Sequence, residues 1–236
     1  MKALKPSFTI IELIIVIIII GIIAYTINFN FFDNNLKVAA DQVENHIRYT
    51  ESLAMKDDKY QPFPKSTSSA DTNQSKFWFM QWWQIRFSVN SNNEYFYEIF
   101  SDSTKSTTYF DHIGNPVSEF ARDPLTHKYL DGNYNTPTAN KKLNLTKTYG
   151  IKLIKFNGTV ISSSTNSKRI LFDNFGNLFL SEGNINHVGN EYPLYKNERV
   201  LVTNNIKIDL CRDNVCNECI RLNITPSGEV FQSKCN

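Results

Sequence analysis

Cys211, Cys216, Cys219 and Cys235 are the only cysteines of this 236-residue chain, and they form a C-x4-C-x2-C run with a later fourth member. As thiolates at that spacing they could ligate a plant-type iron–sulfur cluster or a structural zinc ion. Oxidised, they make two disulfides with three connectivities open. The four histidines, His46, His112, His127 and His187, are scattered through polar stretches. None has a cysteine or carboxylate at ligand spacing, so each reads as a solvated side chain. No G-x-S-x-G, H-E-x-x-H or P-loop run occurs. No catalytic residue, resident metal, cofactor or small-molecule substrate is therefore expected. One further ionisable residue, Glu12, stands out because it lies in the most apolar stretch of the chain.

That stretch begins after Met1–Ser7, a short segment with Lys2 and Lys5 and no acid. From Leu13 to Ala24 every residue except Gly21 is apolar, and the run Phe8–Tyr25 is just long enough to span a bilayer as a helix. The lysines before it predict a cytoplasmic N-terminus and an exported remainder. A core helix of a soluble protein would not be apolar all round. A cleaved secretory signal needs a small-residue site, for which Ile22-Ile23-Ala24 is a poor version. A carboxylate within such a segment costs roughly 2.5–3.5 kcal/mol at mid-bilayer, so Glu12 calls for a role.

Ser7-Phe8-Thr9-Ile10-Ile11-Glu12 and the apolar run after it resemble the class III leader of type IV prepilins and type II secretion pseudopilins. The resemblance covers about twenty residues. It implies cleavage between Ser7 and Phe8 by a prepilin peptidase, N-methylation of Phe8, and a subunit-assembly role for Glu12. The family usually has Gly where this chain has Ser7. Members often carry a later proline, and Thr26–Phe32 has none, which leans towards a minor pilin or pseudopilin. The physics agrees with the motif. After the cut, Glu12 stands in the second turn of a new helix, where its charge complements the helix dipole. The amine of a neighbouring subunit's Phe8 is its natural partner in an apolar setting.

Composition narrows the rest. A hydrophobic fraction of 41% with 13% aromatic residues supports a core and excludes global disorder. The net charge of +2 argues against a dedicated nucleic-acid binder. A mean hydropathy of −0.35 excludes a polytopic membrane protein. Leu36, Ala40, Val43, Ile47, Thr50 and Ala54 recur at helical spacing, so the helix is expected to run over 8–55, with its transmembrane part at about 8–27 and a weak point at Asn28–Asn35. Residues 56–76 read as a polar loop, and 77–236 as a β-rich globular domain.

Within that domain, Phe77–Phe87 and Glu94–Ser101 predict an aromatic hairpin turned by Asn90–Asn93. Trp78, Trp82 and Trp83 could offer a stacking platform, but sheet packing is the plainer reading. Asp131–Asn135 resembles a calcium loop only faintly, since its twelfth position is Lys142. Strands are expected at Ile151–Phe156, Thr159–Ser162, Ile170–Phe172, Leu178–Leu180, Val200–Val202, Ile206–Cys211, Cys219–Ile224 and Val230–Cys235. Arg169–Phe179 parallels Arg221–Phe231 as two copies of strand, glycine turn, strand. Asp71-Thr72-Asn73-Gln74-Ser75 fits a bacterial N-glycan acceptor at Asn73, with a coincidental match in an Asn- and Ser-rich stretch the plainer reading.

Export of the domain decides the cysteine chemistry, because thiols oxidise outside the cytoplasm. If Ile224 faces Val230 across the second hairpin, Cys219 faces Cys235, and Cys211 with Cys216 closes a small loop. The expected fold is α+β: a long N-terminal helix, its first half transmembrane, packed on an antiparallel β-sheet domain in the manner of a pilin. The expected function is a structural subunit of a secretion pseudopilus, a type IV pilus or a DNA-uptake machine. Its expected location is the inner membrane, domain in the periplasm, with prepilin peptidase and other pilin-like subunits as partners. The alternative is a single-pass anchored periplasmic binding module that uses the aromatic strands.

Overall fold

Nothing between Ile10 and Lys56 stops a helix: there is no proline, and the one glycine is Gly21. In the computed structural model α1 (Ile10–Lys56) runs unbroken for 47 residues, about 70 Å at 1.5 Å per residue. It continues through Asn28–Asn35, the weak point of the sequence. The structure describes residues 9–68, 72, 75, 78–101, 120–133, 140–181 and 199–235, the side chains of 24–34, 79–80, 165, 181 and 199 excepted. Ser7, Phe8 and Asn73 lie outside the described residues.

Among the described residues, ten strands form two antiparallel sheets. The first takes β1 (Trp83–Val89), β2 (Tyr95–Ser101), β5 (Lys168–Phe172), β6 (Leu178–Ser181) and β7 (Arg199–Leu201) in the order β2-β1-β5-β6-β7. The second takes β3 (Leu153–Phe156), β4 (Thr159–Val160), β8 (Ile206–Cys211), β9 (Cys219–Ile224) and β10 (Val230–Lys234) in the order β10-β9-β8-β3-β4.

Strand alternation gives each sheet an apolar face. Ile85, Phe87, Tyr97, Ile99, Ile170 and Phe172 from the first sheet share one core with Ile154, Ile208, Leu210, Leu222 and Ile224 from the second. The second half of α1 enters that core with Leu36, Ala39, Ala40, Val43, Ile47 and Ala54. Fully burying each leucine, isoleucine or valine side chain among these contributes about 1.5–3 kcal/mol.

The opposite faces carry charge. On the first sheet Arg86 pairs with the buried Glu98 at 2.7 Å, and on the second Arg221 grips Asp209 through two hydrogen bonds. Burial pushes the Glu98 carboxyl up, with Arg86 opposing it.

Two expectations about elements need correction. Trp78–Gln81 is a 3-10 turn, and the strand starts only at Trp83. Alternation fails there because the rings pack on one another: Trp78 meets Tyr60 and Trp82 edge-on, and Trp82 lies against Phe179. The stretch before Gly150 also holds a short helix not expected from sequence, α2 (Leu145–Tyr149). Asn144 caps it at the start, and Gly150 closes it at φ +75.

The paired hairpins are present, one in each sheet. The Gly176 N–H donates to the Asp173 carbonyl, and the Gly228 N–H to that of Thr225. In both turns the residue that opens the turn also accepts, through its side chain, from the residue after the glycine, Asn177 or Glu229. The two glycines sit at φ +80 and +85, the left-handed conformation that ends such a turn.

Candidate functional site

The two ends of the chain carry the candidate chemistry. At the N-terminal end, Thr9 caps α1. Its backbone N–H and hydroxyl both donate to Glu12 Oε2 at 2.8 Å, and the Glu12 N–H donates back to Thr9 Oγ1. This is a reciprocal capping box, and Thr9-x-x-Glu12 is its sequence signature. Glu12 therefore stands in the first turn of the helix rather than the second, because the helix begins at Ile10 with Thr9 as its cap.

Beyond the cap, every residue from Ile10 to Ile23 is exposed. Among the described residues no helix is long and apolar enough to cross a membrane. The apolar part with described side chains covers about 21 Å, short of a hydrocarbon core of roughly 30 Å. The expected membrane segment at about 8–27 extends past it at both ends.

The second half of α1 is fixed to the domain by polar contacts at its margins. Gln42 Nε2 donates to the Tyr97 hydroxyl at 2.6 Å, and His46 Nδ1 is 2.7 Å from the same oxygen. The Tyr149 hydroxyl donates to Gln42 Oε1. His46 is thus part of the helix–sheet contact and not a solvated side chain. Burial pushes its pKa down to about 4, with Asp123 acting in the opposite direction. His127 is exposed, and His112 and His187 lie outside the described residues. On the other margin, Gln232 Nε2 of β10 donates to Asp41 and Glu44, and Arg48 donates to the Val230 carbonyl.

At the C-terminal end, Cys211–Cys216 and Cys219–Cys235 are disulfides, with Cα separations of 4.9 and 5.7 Å. The pairing follows from register. Val230 faces Ile224 and each later pair follows in step to Lys234 and Ile220, which brings Cys235 opposite Cys219. Three of the sulfurs, those of Cys211, Cys216 and Cys219, lie within 4.8 Å of one another. All are consumed in disulfides, so they present no thiolate to a metal.

An open cleft of about 530 Å³ is lined by Arg48, Glu51 and Ser227 to Phe231. Arg48 is already held by Glu44 and the Val230 carbonyl. The weak calcium-like stretch has another use: Asp131 is buried and accepts from the Asn133 N–H. A Cβ on Gly132 would stand 2.5 Å from the Tyr97 carbonyl oxygen, so that backbone approach is reserved for glycine. No protein-family model, curated protein or solved structure matches this chain.

Proposed function

We propose that this protein is a minor pilin or pseudopilin, a structural subunit that assembles through its N-terminal helix. One observation carries the reading: a single continuous helix has two unlike halves. Leu36, Ala39, Ala40, Val43, Ile47 and Ala54 are buried in the domain, while Ile10–Ile23, apolar apart from Glu12 and the neutral Gly21, is exposed along its length. Fully burying an isoleucine, leucine or valine of that stretch would contribute about 1.5–3 kcal/mol. The exposed half needs an apolar environment that the described residues do not supply. A bilayer serves before assembly, and the helices of neighbouring subunits serve after it. The leader-like Ser7-Phe8-Thr9-Ile10-Ile11-Glu12 supports the same reading.

On this proposal the domain faces the periplasm, which suits its disulfides. The test is N-terminal sequencing of the chain purified from its native membranes. An N-methylated Phe8 as first residue is expected. An intact Met1 would mean a plain anchor, and a start beyond Ala24 a secreted protein; either result overturns the proposal.

A further inference from the structure

Cys219 lies between two other cysteines in the plane of the second sheet. On β8 it is opposite Cys211, and on the β10 side the register brings it opposite Cys235. The Arg212 N–H donates to the Glu218 carbonyl one position further on. The Cys211/Cys219 position is therefore a non-hydrogen-bonded pair, the closer of the two kinds in an antiparallel ladder. Facing residues in register point to the same side of a sheet, so Cys211, Cys219 and Cys235 form a row across three strands. Cys216 folds back over the end of that row. The burial pattern is ordered too: Cys211 and Cys219 are buried, whereas Cys216 and Cys235 are partly exposed.

We infer that the four sulfurs form a thiol–disulfide relay, in which a thiol attacking at Cys216 releases a thiol at Cys235. The external reactant is a small thiol or the reduced form of a dithiol oxidoreductase. Its thiolate attacks the accessible Cys216 sulfur. A mixed disulfide forms there, the Cys211–Cys216 bond breaks, and Cys211 leaves as a thiolate. Cys211 then attacks Cys219, whose sulfur is within 4.8 Å. The Cys211–Cys219 bond forms, the Cys219–Cys235 bond breaks, and Cys235 leaves as a thiolate. One thiol is consumed and one appears, with no net oxidant or reductant. The outcome is a thiolate on the partly exposed Cys235. The relay does not depend on the filament reading.

Two arms test it on the full chain. In the first, Cys216→Ser leaves Cys211 without its partner. The protein is equilibrated without reductant at about pH 8, where thiolates are populated, then acid-quenched, denatured, alkylated with a maleimide and mapped by mass spectrometry. Labelling of Cys235 should rise from background in the untreated wild type to the same order as that of Cys211, with a Cys211–Cys219 linked peptide. Label confined to Cys211, with only Cys219–Cys235 linked, overturns the relay. The second arm keeps the native sequence and adds a slight excess of glutathione before the same quench. Glutathione on Cys216 with the free thiol on Cys235 is expected. A free thiol remaining on Cys211 overturns the relay, and this arm decides the matter if the variant does not fold.

Discussion

Glu51 Oε1 lies 2.8 Å from the point where a Cβ would stand on Gly228. The equivalent point on Gly176, in the other hairpin, is 3.3 Å from the same oxygen. One carboxylate of the helix therefore meets the turns of both repeats. Burial raises the pKa of that carboxyl, with Arg48 opposing.

Gly228→Ala should destabilise the domain by about 1–2 kcal/mol, the cost of holding a non-glycine residue in the left-handed region. The contact with Glu51 adds little, because a carboxylate at the end of a flexible side chain can swing away. Urea unfolding separates the two contributions. A Gly228→Ala/Glu51→Ala pair should recover only a minor part of the loss relative to Glu51→Ala alone. Full recovery would mean that steric contact, and not φ, sets the cost.

Glu12→Gln should leave the start of the helix intact, since glutamine also serves at the third position of a capping box. On the proposed assembly, membrane fractionation should show unchanged or increased insertion, because a charge has been removed from the segment proposed to enter the membrane. Cross-linking to neighbouring subunits should fall, because on the same proposal the Phe8 amine of the adjoining subunit loses its counter-charge. Normal cross-linking would sink the assembly role assigned to Glu12.

Acid should weaken the domain through His46. Its folded pKa is about 4 against a reference value of 6.5. The unfolded chain therefore takes up a proton first as pH falls. The stability contributed by neutral His46 is fully present above 6.5 and is lost progressively down to about 4. Between pH 7.5 and 5 the loss is about 2 kcal/mol by linkage. Urea midpoints measured at both values should converge in His46→Gln more than in the wild type; an unchanged pH dependence would remove His46 as the cause.

The two disulfides should differ in worth by loop length. Cys235→Ser opens a loop with a sequence separation of 16, and Cys216→Ser one of 5. The chain-entropy relation assigns them about 3 and about 2 kcal/mol. Denaturant unfolding of each variant, with the orphaned thiol alkylated to prevent exchange, checks the order. The reverse order would show that local packing outweighs chain entropy here.

Periodic features were the legible ones. The stripe from Leu36 to Ala54, the strands Ile206–Cys211 and Cys219–Ile224, and the Gly176 and Gly228 turns could all be read from spacing. The Cys219–Cys235 pairing followed from the second turn by counting. What escaped was set by tertiary contact. Trp78–Gln81 has strand-like composition but forms a turn in which the Trp78 ring meets Tyr60 and Trp82 edge-on. His46 has charged and polar neighbours in sequence, yet faces Tyr97 fifty-one residues away. The Thr9–Glu12 capping box is legible in its three-residue spacing, a local role for Glu12 that the expectation from its charge did not include.

The contacts of Gln232 set a condition on when the domain can form. Its partners Asp41 and Glu44 precede it by 191 and 188 residues, and the strand it belongs to completes the second sheet. Closure over such separations comes late, since the chain must give up the freedom of the whole intervening loop before any contact repays it. A chain emerging N-terminus first, from a ribosome or through a membrane pore, cannot seat α1 against β10 until Gln232 has emerged. Until then the helix lacks the polar clasp along one side. The helix thus waits for a strand made far later than itself, and β10 serves as its latch.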